Sequence, residues 1–273
     1  MSAGTRMFID ELSMGWTVAR EIVAGIRSAA HAERRYLLGC PGGRSPRHVY
    51  AALADLAASE ELDLRHVVIV MMDDYVVPDG RSFRRVDPSH HYSVERFALD
   101  HIVGPLNRGV GVDRSLPVGA LLLPDPLEPA AYDDRLRELG GVDLFILASG
   151  DTDGHVAFNP PGSPVDCATR VVTLASTTKA DNLRTFPEFR SVEDVPDHGV
   201  TVGIATIVEH TSRAILVAPG AGKRMAVERV IEAGGYDPSW PASVINACRD
   251  ASVYFDRSAR PHPGFDADVE DPS

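Results

Sequence analysis

Lysine is almost missing from this chain: the 27 basic residues include only Lys179 and Lys223, and the rest are arginine. Cysteine is scarce too, with Cys40, Cys167 and Cys248 far apart, odd in number and without metal-ligand spacing. That argues against a disulfide scaffold or a zinc site and for a reducing, cytoplasmic setting. No apolar run approaches the ~20 residues of a membrane helix, and no charged-then-apolar leader opens the chain. A soluble intracellular protein without a membrane partner is expected. Excess positive charge is absent as well. The formal net charge is -12, which repels phosphate backbones and makes nucleic acid a poor partner. An anionic small substrate stays compatible if positive charge is gathered locally.

What is present is enough apolar material for a substantial α/β core: 273 residues, 44% hydrophobic and 24% charged. Apolar residues at helical spacing predict helices over residues 10–29, 49–56, 91–102, 129–139, 177–186 and 224–232, with another starting at Thr201. Apolar runs predict strands over 36–39, 66–72, 143–148, 213–218 and 251–255. Weaker strand signals lie at 116–123 and 170–174, and 76–89 reads as a loop. Alternating strands and helices predict a doubly wound, Rossmann-like, mostly parallel sheet with helices on both faces. One domain is expected over 1–259, followed by an acidic, Pro-rich tail, 260–273, expected to be disordered or loosely packed.

Four of these strands run into polar loops: CPGGRSP, DDY, SGDTDGH and PGAGK. Parallel strands put such loops on one rim, where open α/β sheets bind ligands. Gly42, Gly43, Arg44 and Ser45 precede a helix, so their backbone N–H groups could cradle an anion; an ordinary strand–helix turn is the alternative. Lys223 stands at a similar turn, as a phosphate contact or as a solvated surface lysine. Asp73 and Asp74 end a very apolar strand; burial would raise one pKa and make a proton acceptor, unless they are cap or loop carboxylates. Asp153 and His155 could converge with Asp73, His155 as a proton shuttle or as a histidine satisfied by local backbone.

Together these residues resemble the glucosamine-6-phosphate deaminase (isomerase) family, related to the 6-phosphogluconolactonases. The resemblance runs from about residue 10 to residue 257 and rests on RHVVIVMMDDYVV, DLFILASGDTDGHVAFNPPGS, TRVVTLASTTKADNLRTF, TVGIATIVE and ILVAPGAGKRMAVERVI. It implies isomerisation of a phosphorylated amino sugar with loss of ammonia, giving fructose-6-phosphate. It assigns Asp73 as the C1/C2 proton carrier, His155 as the ring-opening acid/base and Asp153 as its neighbour. Arg184 and Lys223 would grip the phosphate with Gly42–Ser45, and Asp74 would lie in the same site. No metal or organic cofactor is implied, and self-association is compatible. Three departures stand out: Pro160 occupies the place of a family glutamate that assists the histidine, GDTDGH is one residue longer than the family's G-x-D-G-H, and Arg44 puts a large cation where deaminases carry Gly or Ser. The GGRSP loop looks more like the lactonase version. A sugar-phosphate lactonase, or a phosphosugar-binding protein with impaired catalysis, is therefore the alternative expectation.

Overall fold

The computed structural model describes residues 3–262, 264, 265, 269 and 270. Strand β1 (Gly4–Phe8) leads to α1 (Glu11–His31), whose first turn is capped by the Asp10 carboxylate accepting from Ser13 N. Then come β2 (Tyr36–Cys40), α2 (Arg47–Ser59), β3 (Val67–Met71), β4 (Asp73–Asp79) and β5 (Ser82–Arg85). Helix α3 (Val94–Ala98) runs through a π-helical stretch, Leu99–Val103, into α4 (Gly104–Gly109). The remainder is β6 (Leu121–Leu122), α5 (Pro129–Glu138), β7 (Val142–Leu147), β8 (Arg170–Thr173), α6 (Ser176–Thr185), β9 (His198–Thr201), α7 (Ile204–Glu209), β10 (Thr211–Ala218), α8 (Arg224–Ala233), β11 (Asp250–Asp256) and β12 (Val269–Glu270).

The main sheet has the order β12-β1-β11-β10-β7-β2-β3-β6, and every pairing in it is parallel. Period-two alternation sends successive side chains to opposite faces. Leu38, Ile69, Met71, Ile146 and Val217 pack with α1 and α2 residues such as Ile22 and Leu53. Their neighbours Leu37, Val70, Phe145, Leu147 and Leu216 pack with Leu136 of α5, Ile207 of α7 and Val230 of α8. Both faces are thus covered by helices, as a parallel sheet requires. None of the described helices is long and apolar enough to cross a membrane.

Strands β10, β7, β2 and β3 are contiguous, so the four polar loops leave one rim side by side. Between β2 and β7 the strand order reverses: the chain runs outward from β2 through β3 to β6, then returns to the other side of β2 as β7. Such a switch point splays the loops apart and opens a crevice.

Several local expectations are corrected. Strand β1 was not anticipated. Residues 76–89 are only partly loop, because β4 continues to Asp79 and turns at Gly80 into β5. Thr201 ends a strand rather than starting a helix; β9 pairs antiparallel with β4 and β8, forming a second sheet of order β5-β4-β9-β8. Those strands are short and mixed in polarity, so their signal lies in pairing rather than in local pattern. The expected edge strand at 116–123 shrinks to Leu121–Leu122. In the tail, Val269–Glu270 pairs with Met7–Phe8; residues 263, 266–268 and 271–273 lie outside the described residues.

Candidate active site

The crevice at the switch point is a cleft lined by the loop after β2 (Pro41 to Ser45), the loop after β7 (Ala148 to Asp151), and Asp73, Tyr75, His155, Phe158, Asp181, Asn182, Phe186 and Lys223. Gly42, Gly43, Arg44 and Ser45 all line this cleft. Gly43 has φ +91, a left-handed conformation that costs glycine little. The Tyr50 hydroxyl donates to Pro41 O at 2.7 Å and ties this loop to α2. The α2 N-terminus has no side-chain cap, which leaves N–H groups and the positive helix end beside the cleft.

Asp73 and Asp74 part company at the start of β4. Asp73 lines the cleft and is only 6% exposed. Burial, then the charge of Asp74, pushes its carboxyl up to about 8. Asp74 points the other way, is fully buried and does not line the cleft. Its Oδ1 accepts from Val94 N at 3.0 Å and Tyr75 N at 2.8 Å, so it serves the first turn of α3. The expectation of Asp74 as a ligand-binding residue is corrected: it is the cap carboxylate of the alternative reading. Burial raises its carboxyl as well, against those two hydrogen bonds and the charge of Arg85. Among the described residues its Oδ2 has no partner.

The loop after β7 builds a histidine–carboxylate pair. Asp153 Oδ1 accepts from His155 Nδ1 at 2.7 Å and from His155 N at 3.1 Å. Its Oδ2 accepts from the hydroxyl of Thr177, at the start of α6. Burial opposes ionisation of Asp153, but the hydrogen bond and charge of His155 and the Thr177 hydroxyl outweigh it and hold the carboxyl well below the usual range. With Nδ1 engaged, the Nε2 of His155 makes no hydrogen bond among the described residues and is the nitrogen available to a ligand. Gly150 makes room for the pair: an added Cβ would sit 2.2 Å from His155 Nδ1 and 2.5 Å from Asp153 Oδ1. Ala157 pays for the sharp loop with φ 51, unusual for a residue with a side chain. Pro160 lies outside the cleft, and its carbonyl accepts from Ser163 N at 3.1 Å and Ser163 Oγ at 2.7 Å.

Lys223 lines the cleft, and its Nζ reaches Asp151 Oδ1 at 2.5 Å and Ser149 O at 2.5 Å. Arg184 does not line the cleft and is half exposed, with its guanidinium 3.0 Å from Asp151 Oδ2 and 2.5 Å from Asp181 Oδ1. Both cations expected at a phosphate are thus held by carboxylates that the sequence reading passed over. Asp151 was visible inside GDTDGH; nothing local marked Asp181, which needed the docking of α6 to bring it there. Tyr75 and Asn182 were also missed, and each presents a buried polar group, the phenol and Nδ2, without a partner among the described residues. Asp153, His155 and Asp181 bring ligand atoms within 4.8 Å of one another, the grouping of described residues that could hold a metal ion. In this arrangement the Asp153 and Asp181 oxygens are taken by His155, Thr177 and Arg184.

Residues 10–254 match the family described as glucosamine-6-phosphate isomerases/6-phosphogluconolactonase. A glucosamine-6-phosphate deaminase of Bifidobacterium longum subsp. infantis is 35% identical over 228 residues, 82% of this chain and 80% of that protein. One from Bacillus pumilus is 32% identical over 257 residues, 92% and 96% of the two chains. Among solved structures, a monomeric glucosamine-6-phosphate deaminase superposes with a TM-score of 0.80 at 25% identity, covering 94% of this chain and 98% of that one. A 6-phosphogluconolactonase from Leishmania guyanensis shares the fold with a TM-score of 0.69 at 17% identity, covering 98% of this chain and 100% of the other.

Proposed function

Since the chain belongs to the family of glucosamine-6-phosphate isomerases and 6-phosphogluconolactonases, we propose that it is an enzyme converting a phosphorylated amino sugar, glucosamine-6-phosphate or a close relative, into a ketose phosphate and ammonia. The observation that carries this reading is Asp73, a carboxyl in the cleft wall whose proton affinity burial raises to about 8. Moving a proton between two adjacent carbons needs a group that both takes and returns it near neutral pH.

In this reading His155, held at Nδ1 by Asp153, works through Nε2. It moves a proton between the ring oxygen and the C1 hydroxyl, opening the pyranose to the aldehyde. Asp73 then takes the C2 proton, leaving an enolamine, and returns it to C1. The product is the imine of the ketose, to which water adds and from which ammonia leaves. Gly42, Gly43, Arg44, Ser45 and Lys223 receive the anionic end, with Arg184 linked to Lys223 through Asp151. The steps as written need no metal or organic cofactor. The three unpaired cysteines and a phosphorylated substrate support a cytoplasmic setting.

The test is to supply glucosamine-6-phosphate and follow ammonia and fructose-6-phosphate together. Equal release is expected; release of neither removes this reaction. The Gly42–Ser45 loop supports a second reading, hydrolysis of a sugar-phosphate lactone, in which His155 would activate water and Asp73 would have no proton to carry. Faster-than-spontaneous hydrolysis of 6-phosphogluconolactone, unaffected by Asp73→Asn, would favour it.

A further inference from the structure

Two of the cations expected at the phosphate, Lys223 and Arg184, are already paired with carboxylates of the protein. The two oxygens of Asp151 are shared out, Oδ1 to Lys223 Nζ at 2.5 Å and Oδ2 to Arg184 Nη2 at 3.0 Å. This is the bridging geometry that two oxygens of a phosphoryl group would adopt between the same cations. The pair is shielded from water, with the Lys223 and Asp151 side chains 12% and 15% exposed, so solvent screening weakens it little. Asp181 adds a second acid: it holds Arg184 at 2.5 Å and accepts from Asp151 N at 3.3 Å, fixing the loop that carries Asp151. Two positive and two negative side chains leave this end of the cleft without net charge. Among the described residues the Arg44 guanidinium alone, of the cations in this group, has no carboxylate beside it.

We propose that Asp151 is a specificity-determining residue of this subsite: its carboxylate is an internal anion seated between Lys223 and Arg184, and an anionic substrate binds by displacing it. The inference rests on the reading of the cleft as a phosphosugar site. A dianion entering with Asp151 in place meets two carboxylates at close range, so the cost of moving Asp151 is subtracted from phosphate affinity. Gly222 carries no side chain beside Asp151: even a Cβ added there would stay 3.7 Å from Oδ2, so this turn leaves the carboxylate room to move. Arg44 and the loop amides of Gly42–Ser45 offer the incoming anion its first contact. The consequence is a site that responds to substrate at higher concentration than its count of cations suggests, and that gives up less affinity when the anionic group carries less charge.

The test uses the full chain and inorganic phosphate as the probe. Calorimetric titrations compare the unmodified protein with Asp151→Asn and Asp151→Ser, with melting curves to establish that each variant is folded. Phosphate should bind at least tenfold more tightly to both variants, and Lys223→Met in the Asp151→Asn background should abolish the gain. Binding that is unchanged or weaker in folded variants overturns the proposal, since Asp151 would then merely orient the two cations. Phosphate that binds none of the proteins at millimolar concentration overturns the phosphosugar reading along with it. Phosphate that binds the unmodified protein, without gain in either variant, overturns the role of Asp151 alone.

Discussion

The carboxylate of Asp153 bridges the Nδ1 of His155, at 2.7 Å, and the hydroxyl of Thr177 at the head of α6. A loop residue after β7 thus orients the imidazole while being held by a helix that follows it in the chain. The arrangement makes Nδ1 the protonated nitrogen and frees Nε2 for chemistry. Asp153→Asn should therefore lower kcat for ammonia release by about 10²-fold or more, the usual range for a disabled acid–base group. Thr177→Val should cost less, because it loosens the carboxylate without removing its charge. A Thr177→Val loss equal to that of Asp153→Asn would show that the hydroxyl, not the carboxylate, does the orienting.

Gly150 gives that pair its space. The Cβ of Gly150→Ala would fall 2.2 Å from His155 Nδ1, so the ring or the loop must move. Activity should fall by about 10²-fold, as expected for a misplaced reacting group. Phosphate binding, measured by calorimetry, should shift as well, because Ser149 and Asp151 on either side of Gly150 hold Lys223. Retained turnover would mean that the His155–Asp153 geometry is not critical to the reaction.

Asp73 links activity and stability to pH. With its carboxyl raised to about 8, the ionised base accumulates as pH rises, and kcat/KM should climb between about pH 6 and pH 8. Stability should run the other way. The folded state holds this proton from the unfolded value of 3.8 up to about 8, while the unfolded chain has released it. Folding then binds the extra proton, and the Asp73 contribution falls with rising pH by up to about 1.4 kcal/mol per unit. It is fully present below the unfolded pKa and lost once pH passes the folded one. Melting curves of Asp73→Asn should show a shallower pH dependence over this window and no turnover at any pH. An unchanged slope would place the titration elsewhere, with Asp74 the next group to test.

Ala157 holds φ 51 in the cleft wall. A left-handed residue with a Cβ costs about 1–2 kcal/mol, and glycine there surrenders about 0.5–1 kcal/mol of chain entropy. Ala157→Gly should therefore be neutral or stabilising by up to about 1 kcal/mol, read from denaturant midpoints. A loss of more than that would show that the Ala157 methyl packs in a way that outweighs its strain.

Most of the framework was legible in the amino-acid order. The apolar runs around Leu38, Ile69, Ile146 and Ile215 alternate faces, and each is followed by a polar loop; local pattern alone identifies such strands. The DGH and DDY residues were visible because acid and imidazole after a buried strand are unusual. The second sheet was not legible, since His198–Thr201 and Ser82–Arg85 are short, mixed in polarity and stabilised by partners far away in the chain. The fate of Asp74 was left open for a related reason. Adjacent residues on a strand face opposite ways, and only the position of α3 decides which of two neighbouring acids becomes a cap.

What the amino-acid order determined by itself is the set of parallel strands and the rim on which their loops meet, because right-handed crossover connections leave little freedom once strands and helices alternate. It also determined which residue types that rim would carry. Only the tertiary structure decided how those charges are spent. Lys223 and Arg184 are 39 residues apart in sequence, and Asp151 bridges them because α6 and the loop after β10 dock on either side of it. Ion pairing depends on distances of a few ångströms between remote segments, and no local pattern encodes those distances.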